Sequence, residues 1–193
     1  MRRVIKHAES LILQGGWLYR EGNAANNREI RDILLIEQGY ICSYTEIHLS
    51  RGVKVELDHF DPTLTGDESN SYDNLFAVSG QWNNEKLAKW GDLQPCINPT
   101  HAELEARIVY DNGDYILSDP NDIEAKNLYT LLNIGDADLA SRRKRYIERI
   151  KKEIISSGKT AEVYLADLFN DYAEGVYFLR ALKEEFGYIH PNY

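Results

Sequence analysis

Four polar residues, Asp58, His59, Asn74 and Asn83, share one stretch of the chain, Val55 to Lys86, and their types suit hydrolytic chemistry. A carboxylate and an amide oxygen are hard ligands for Mg²⁺ or Mn²⁺, ions that keep several waters and take phosphate oxygens in their remaining positions. A neutral imidazole beside such an ion can take a proton from a water attacking phosphorus, while the ion stabilises the leaving oxygen and the added negative charge. These parts suffice for phosphodiester hydrolysis.

The stretch also contains the elements needed to bring those residues together. Val55 and Leu57 alternate with Lys54, Glu56 and Asp58, the period of a strand with one buried face, and Pro62 bars its continuation. A polar loop from Thr63 to Asp73 follows, then Leu75, Phe76 and Val78, which suit a short second strand. After the Ser79-Gly80 break, a helix is expected to open near Gln81 and run to about Lys89 or Trp90, with Asn83 one turn inside it. A strand end and a helix start on so small a unit lie within side-chain reach of each other.

The pattern resembles the HNH nuclease motif, the ββα-metal fold. Asp58-His59 matches the acid–histidine pair, Asn74 follows His59 by 15 positions, Asn83 comes 9 later, and Lys86, 3 further on, sits where that family often has a basic residue. The resemblance implies His59 as general base, Asp58 and Asn83 as metal ligands, Asn74 as the residue that pins the loop and aims His59, and Lys86 as a nucleic-acid contact. Many members also hold a structural zinc with two Cys-x-x-Cys pairs. Here those positions read Cys42-Ser43-Tyr44-Thr45 and Ser79-Gly80-Gln81-Trp82, so one thiolate remains and no structural zinc is expected. Tyr44 and Trp82 are expected to replace it by aromatic packing.

Composition limits the reading. With 43% hydrophobic and 27% charged residues the chain is ordinary for a soluble globular protein. It has no apolar run near the ~18 residues a membrane helix needs. The basic start Met1–Lys6 leads into a stretch broken by His7, Glu9, Ser10 and Gln14, so no secretory signal is expected, and two cysteines fit a reducing cytoplasm. A net charge of −9 opposes unaided binding of a polyanion, so either basic residues gather on one face or a partner supplies the binding surface.

Around the central stretch, residues 1–25 read as a packed arm anchored by Leu11, Leu13, Trp17 and Leu18. Residues 26–100 form the catalytic core, opening with a helix from Asn26 or Asn27 to Gln38 that ends at Gly39. Residues 101–193 begin with a hairpin turning at Asn112-Gly113 and continue as helices from Asp122, from Asp136 or Asp138 to about Ser156, and from Thr160 to Phe186. They are expected to pack on the core as one domain. The second of these helices carries Arg142, Arg145 and Arg149 on one face, the concentrated basic patch of an acidic chain and a candidate phosphate contact, with a solvated face of ordinary ion pairs as the alternative.

The expected fold is therefore α+β, a ββα core embedded in a mainly helical domain with one extra hairpin. Beyond the motif, Met1–Lys6, Gln38-Gly39-Tyr40-Ile41-Cys42-Ser43-Tyr44, His59-Phe60-x-Pro62 and the run from Leu131 through Leu139 to Arg142 are similar to the HNH proteins of Septu-type anti-phage systems, PtuB-like proteins also found with retrons. That resemblance implies a DNA-cutting subunit working with a PtuA-like ATPase. Cleavage of RNA, or a non-catalytic adaptor that only binds the ATPase, are the alternatives.

Overall fold

Ser10 opens the fold's first helix, α1 (Leu11–Gln14), by accepting a hydrogen bond from the Ile12 amide at 3.2 Å. This rotation buries Ile12 and leaves Leu11 and Leu13 61% and 49% exposed, so the arm is anchored by Ile12, Met1 and Val4 rather than by the two leucines. In this computed structural model, which describes every residue except Arg51, α2 (Ala24–Glu37) begins two or three residues earlier than the sequence suggests, because the cap is Asn23, whose side chain accepts from Asn26 N. It buries Ile30, Leu34 and Leu35.

The strand alternation gives β1 (Val55–His59), and after α3 (Gly66–Ser69) the chain returns as β2 (Leu75–Ser79), antiparallel, with Val55 opposite Ser79 and His59 opposite Leu75. Leu75 to Val78 are all buried, and α4 (Gly80–Leu87) starts at the next residue after β2. Gln38, just past α2, binds β2 in both directions, with Nε2 donating to Ala77 O at 2.8 Å and Ala77 N donating to Oε1 at 3.0 Å.

The second half opens with α5 (Leu104–Arg107), then β3 (Ile108–Asp111) and β4 (Asp114–Leu117), a hairpin whose Asn112 and Gly113 adopt the positive φ of a tight primed turn. Asp122 and Asp136 cap α6 (Ile123–Leu131) and α7 (Ala137–Ser157), and α7 ends on Gly158 in the left-handed region. The single helix expected over 160–186 is two, α8 (Ala161–Asp171) and α9 (Leu179–Phe186). Between them Val176 and Phe178 are pulled into the core, Phe178 N donates to Glu46 O, and the Tyr146 hydroxyl donates to Gly175 O, bonds a continuous helix could not make. The fold is α+β, with two small antiparallel hairpins among helices. No helix among the described residues is long and apolar enough to cross a membrane.

The buried apolar residues form two clusters, one around β1, β2 and the arm, the other around α7, α8 and α9. Glu46 ties them together. It is buried in a left-handed conformation (φ 59°), and its carboxylate accepts from Arg2 N (2.9 Å), the Tyr115 hydroxyl (2.7 Å) and Arg180 N (2.9 Å). The Arg180 guanidinium then donates to the carbonyls of Met1, Ile108 and Glu105. Replacing Glu46 with Ala strands several buried donors at once, so Glu46→Ala is expected to cost about 3 kcal/mol or more, read as a lower urea midpoint, whereas a change within a few tenths of a kcal/mol would refute this role.

Candidate active site

His59, Asp58 and Asn83 line one cavity of about 390 Å³, together with Tyr19, Glu21 and Asn70 among others. The last two residues of β1 supply the acid and the imidazole, and the first turn of α4 supplies the amide. His59 is half-buried, with Tyr19 edge-on to its ring at 4.7 Å. Its Nε2 lies 3.2 Å from Asn70 Oδ1, and the Asn70 amide is oriented by Nδ2 donating to Gly66 O.

Asn74 is buried behind this loop. Its Oδ1 accepts from Asp61 N at 2.8 Å, and its Nδ2 donates to Asp61 O and Ser69 O at 3.1 and 2.9 Å, so one amide holds both ends of the β1–β2 connection. With its donors and acceptor all engaged, Asn74 acts on the loop rather than on a ligand.

Asp58 is tied inward. Its Oδ2 is 2.9 Å from Lys86 Nζ and also accepts from the Tyr44 hydroxyl. Lys86 is 0% exposed, donates to His59 O and Phe60 O at 2.8 Å each, and lies over the Phe60 and Trp90 rings. The expectation that Lys86 contacts nucleic acid is thus corrected, because an ammonium with no exposed surface and three bonded oxygens cannot reach a phosphate. Burial pushes the Asp58 carboxyl up, against the pull of Lys86, and pushes the Lys86 ammonium down, against the pull of Asp58.

Asn83 has only one side of its amide bonded within the chain. Its Nδ2 donates to Glu56 Oε2 at 2.9 Å, while its Oδ1 is buried with no partner. An orphaned amide oxygen beside a carboxylate fits a hard cation or a water carried by one. Asp58 can join it only through the oxygen that Lys86 and Tyr44 leave free. No cluster of three His, Cys, Asp or Glu side chains able to hold a metal occurs among the described residues. An amide oxygen and a carboxylate oxygen are hard donors, the kind that could hold an ion such as Mg²⁺ or Mn²⁺, which keeps several of its waters.

At the positions corresponding to a zinc site, Ser79 N lies 3.4 Å from Cys42 Sγ, and Tyr44 packs on Phe76 while its hydroxyl turns to Asp58. Trp82 packs half-buried on the core. On α7, Arg142 and Arg145 are exposed, whereas Arg149 pairs with both Glu153 oxygens at 2.9 Å. The neighbouring Arg143 is buried against Gly113 O, and Lys144 and Lys151 pair with Asp114 and Glu185. This helix packs on β4, α8 and α9, and none of its residues lines the cavity.

Sequence reasoning missed Glu56, Asn70, Tyr19 and Glu21. Glu56 had a signal, standing two residues before Asp58 on the same strand face. Tyr19 and Glu21 lie far upstream in a segment without periodicity and had none. Compared with known proteins, the chain matches no family model, no curated protein and no solved structure.

Lys86→Met leaves the Asp58 carboxylate buried without its countercharge and is expected to cost about 3–5 kcal/mol in urea unfolding. The double variant Asp58→Asn/Lys86→Met, which removes both charges, should recover about 1 kcal/mol or more of that loss. A double variant no more stable than Lys86→Met would show that the two residues do not act as a pair.

Proposed function

We propose that this chain is a metal-dependent endonuclease of the HNH type, hydrolysing phosphodiester bonds of DNA. The observation that carries the reading is the convergence of His59, Asp58 and Asn83 on one cavity, with the buried Asn83 Oδ1 left without a partner. His59 is the general base. Asn70 Oδ1 beside Nε2 favours the tautomer with the proton on that nitrogen, which leaves Nδ1 to accept the proton of the attacking water. Asn83 and the free oxygen of Asp58 are the groups that would hold Mg²⁺ or Mn²⁺, and such an ion would supply charge stabilisation for the phosphate. Asn74 keeps the loop closed behind the base. RNA remains an alternative substrate in the same chemistry, since base and metal act at phosphorus.

In a chain of net charge −9, a partner that brings nucleic acid to the site is part of the proposal, and an ATPase of the PtuA-like kind is the partner the resemblance implies. One observation favours a second reading, a non-catalytic adaptor. The pairing of Asp58 with Lys86 takes up one carboxylate oxygen and neutralises the charge that a metal would use.

The two readings separate on one substitution. With Mn²⁺ or Mg²⁺ present, His59→Ala is expected to slow cleavage of plasmid DNA by about 10²- to 10⁴-fold while leaving thermal unfolding unchanged. Wild-type protein that cuts neither DNA nor RNA, alone or with a PtuA-like ATPase, would favour the adaptor, whereas undiminished cleavage by His59→Ala would show that His59 is not the base.

A further inference from the structure

The cavity around His59 has a neighbour that shares Tyr19 as lining. A second cavity of about 380 Å³ begins on the other side of Tyr19 and Leu57, which line both, and runs along β1 past Glu56 to Val55. Its opposite wall is α2, which presents Arg28 and Arg31. These two are three residues apart and so share a helix face. Arg28 is exposed and makes no ion pair among the described residues, while Arg31 pairs with its neighbour Asp32 on the surface. The wall's one carboxylate, Glu56, is already engaged by Lys54 and by the Asn83 amide.

The segment that separates the two cavities has no regular structure, yet its position is fixed by side chains. Asn26 Nδ2 donates to Leu18 O, and Asn27 both accepts from Arg20 N and donates to Arg20 O, all within 2.9 Å. On its other side Tyr19 N donates to Asn70 O, in the loop that bears the His59 partner. An aromatic ring is thereby held at a set place between the candidate base and two guanidiniums.

We propose that this groove binds the nucleic acid strand next to the bond being cut, with a flanking phosphate at Arg28 and Arg31 and a base against Tyr19. This rests on the nuclease reading above and adds the path of the strand. Guanidiniums suit phosphate oxygens and aromatic faces suit any base, so the groove reads backbone and stacking rather than sequence. It also locates local positive charge beside the reacting centre of an acidic chain, which the basic face of α7 does not, since that helix packs on the other cluster.

The test uses the full chain and a fluorescein-labelled single-stranded oligodeoxynucleotide, followed by anisotropy without divalent metal at several salt concentrations. Arg28→Ala/Arg31→Ala should weaken binding about tenfold and lower the slope of log affinity against log salt by about 0.7, the share of one neutralised phosphate on a single strand. Both side chains lie at the surface, so the melting temperature should hold. Tyr19→Phe should bind as wild type and Tyr19→Leu more weakly. In cleavage assays the double arginine variant should raise KM and spare kcat. An enzyme that cuts DNA but whose affinity and salt slope ignore both arginines overturns the groove and leaves the nuclease reading standing. A protein that binds through them yet cuts nothing does the reverse. Loss of the salt slope on changing Arg142 and Arg145 instead would also overturn the groove.

Discussion

The buried contact between Asp58 and Lys86 constrains everything around the candidate site. Neither charge is stable alone in a dry interior, and each is held by further bonds, Tyr44 on the carboxylate and two carbonyls on the ammonium. Those two carbonyls belong to His59 and Phe60, so the same ammonium that neutralises Asp58 also fixes the end of β1. The direction of the His59 side chain therefore depends on an ion pair one residue back and on the opposite side of the strand. A pair of this kind adds little net stability, but it penalises any register in which the strand end slips.

A second constraint acts at longer range. Glu46 and Arg180 join the arm, the β3–β4 hairpin and α9 by bonds to backbone groups rather than by apolar contact, and they sit between the two hydrophobic clusters. A left-handed conformation at a non-glycine residue costs of order 1 kcal/mol, and Glu46 is kept in it by five bonds, three at its carboxylate, one at its carbonyl and one from its amide to Cys42 O. The C-terminal helices are thus attached to the half of the molecule that carries the cavity. This also explains why a helix continuous from 160 to 186 does not form. Its middle would have to give up the Phe178 bond to Glu46 and the burial of Val176.

What was legible in the sequence follows the range of the interactions. The strand of Val55 and Leu57, the Asn112-Gly113 turn and the caps at Asp122 and Asp136 are set by neighbours within four residues, and the sequence carries them openly. The convergence of His59 and Asn83 was legible because one small supersecondary unit holds both. The inward turn of Lys86 was not, since it depends on where Asp58, Phe60 and Trp90 lie in space. The burial of Arg143 and Arg180 was hidden for a related reason. Their partners are carbonyls of distant segments, and no residue type in the sequence marks a carbonyl that is waiting for a donor.

These buried cations change the meaning of the net charge. Lys86, Arg2, Arg143 and Arg180 are spent on the interior, and Arg107, Lys144, Lys151 and Lys183 are matched to carboxylates at the surface. A formal balance of −9 therefore understates how little free positive charge the surface presents to a polyanion. Under that condition the position of each remaining cation matters more than the number. A guanidinium beside the cavity would act on a bound phosphate at short range and be little screened, whereas an exposed one beyond a Debye length of about 8 Å contributes mainly to encounter. For a chain this acidic, the hydrolysis proposed at His59 would require either short-range cations beside the cavity or a second protein that presents the strand. The two are compatible, because a partner can raise the local concentration of nucleic acid without fixing which phosphate meets the base.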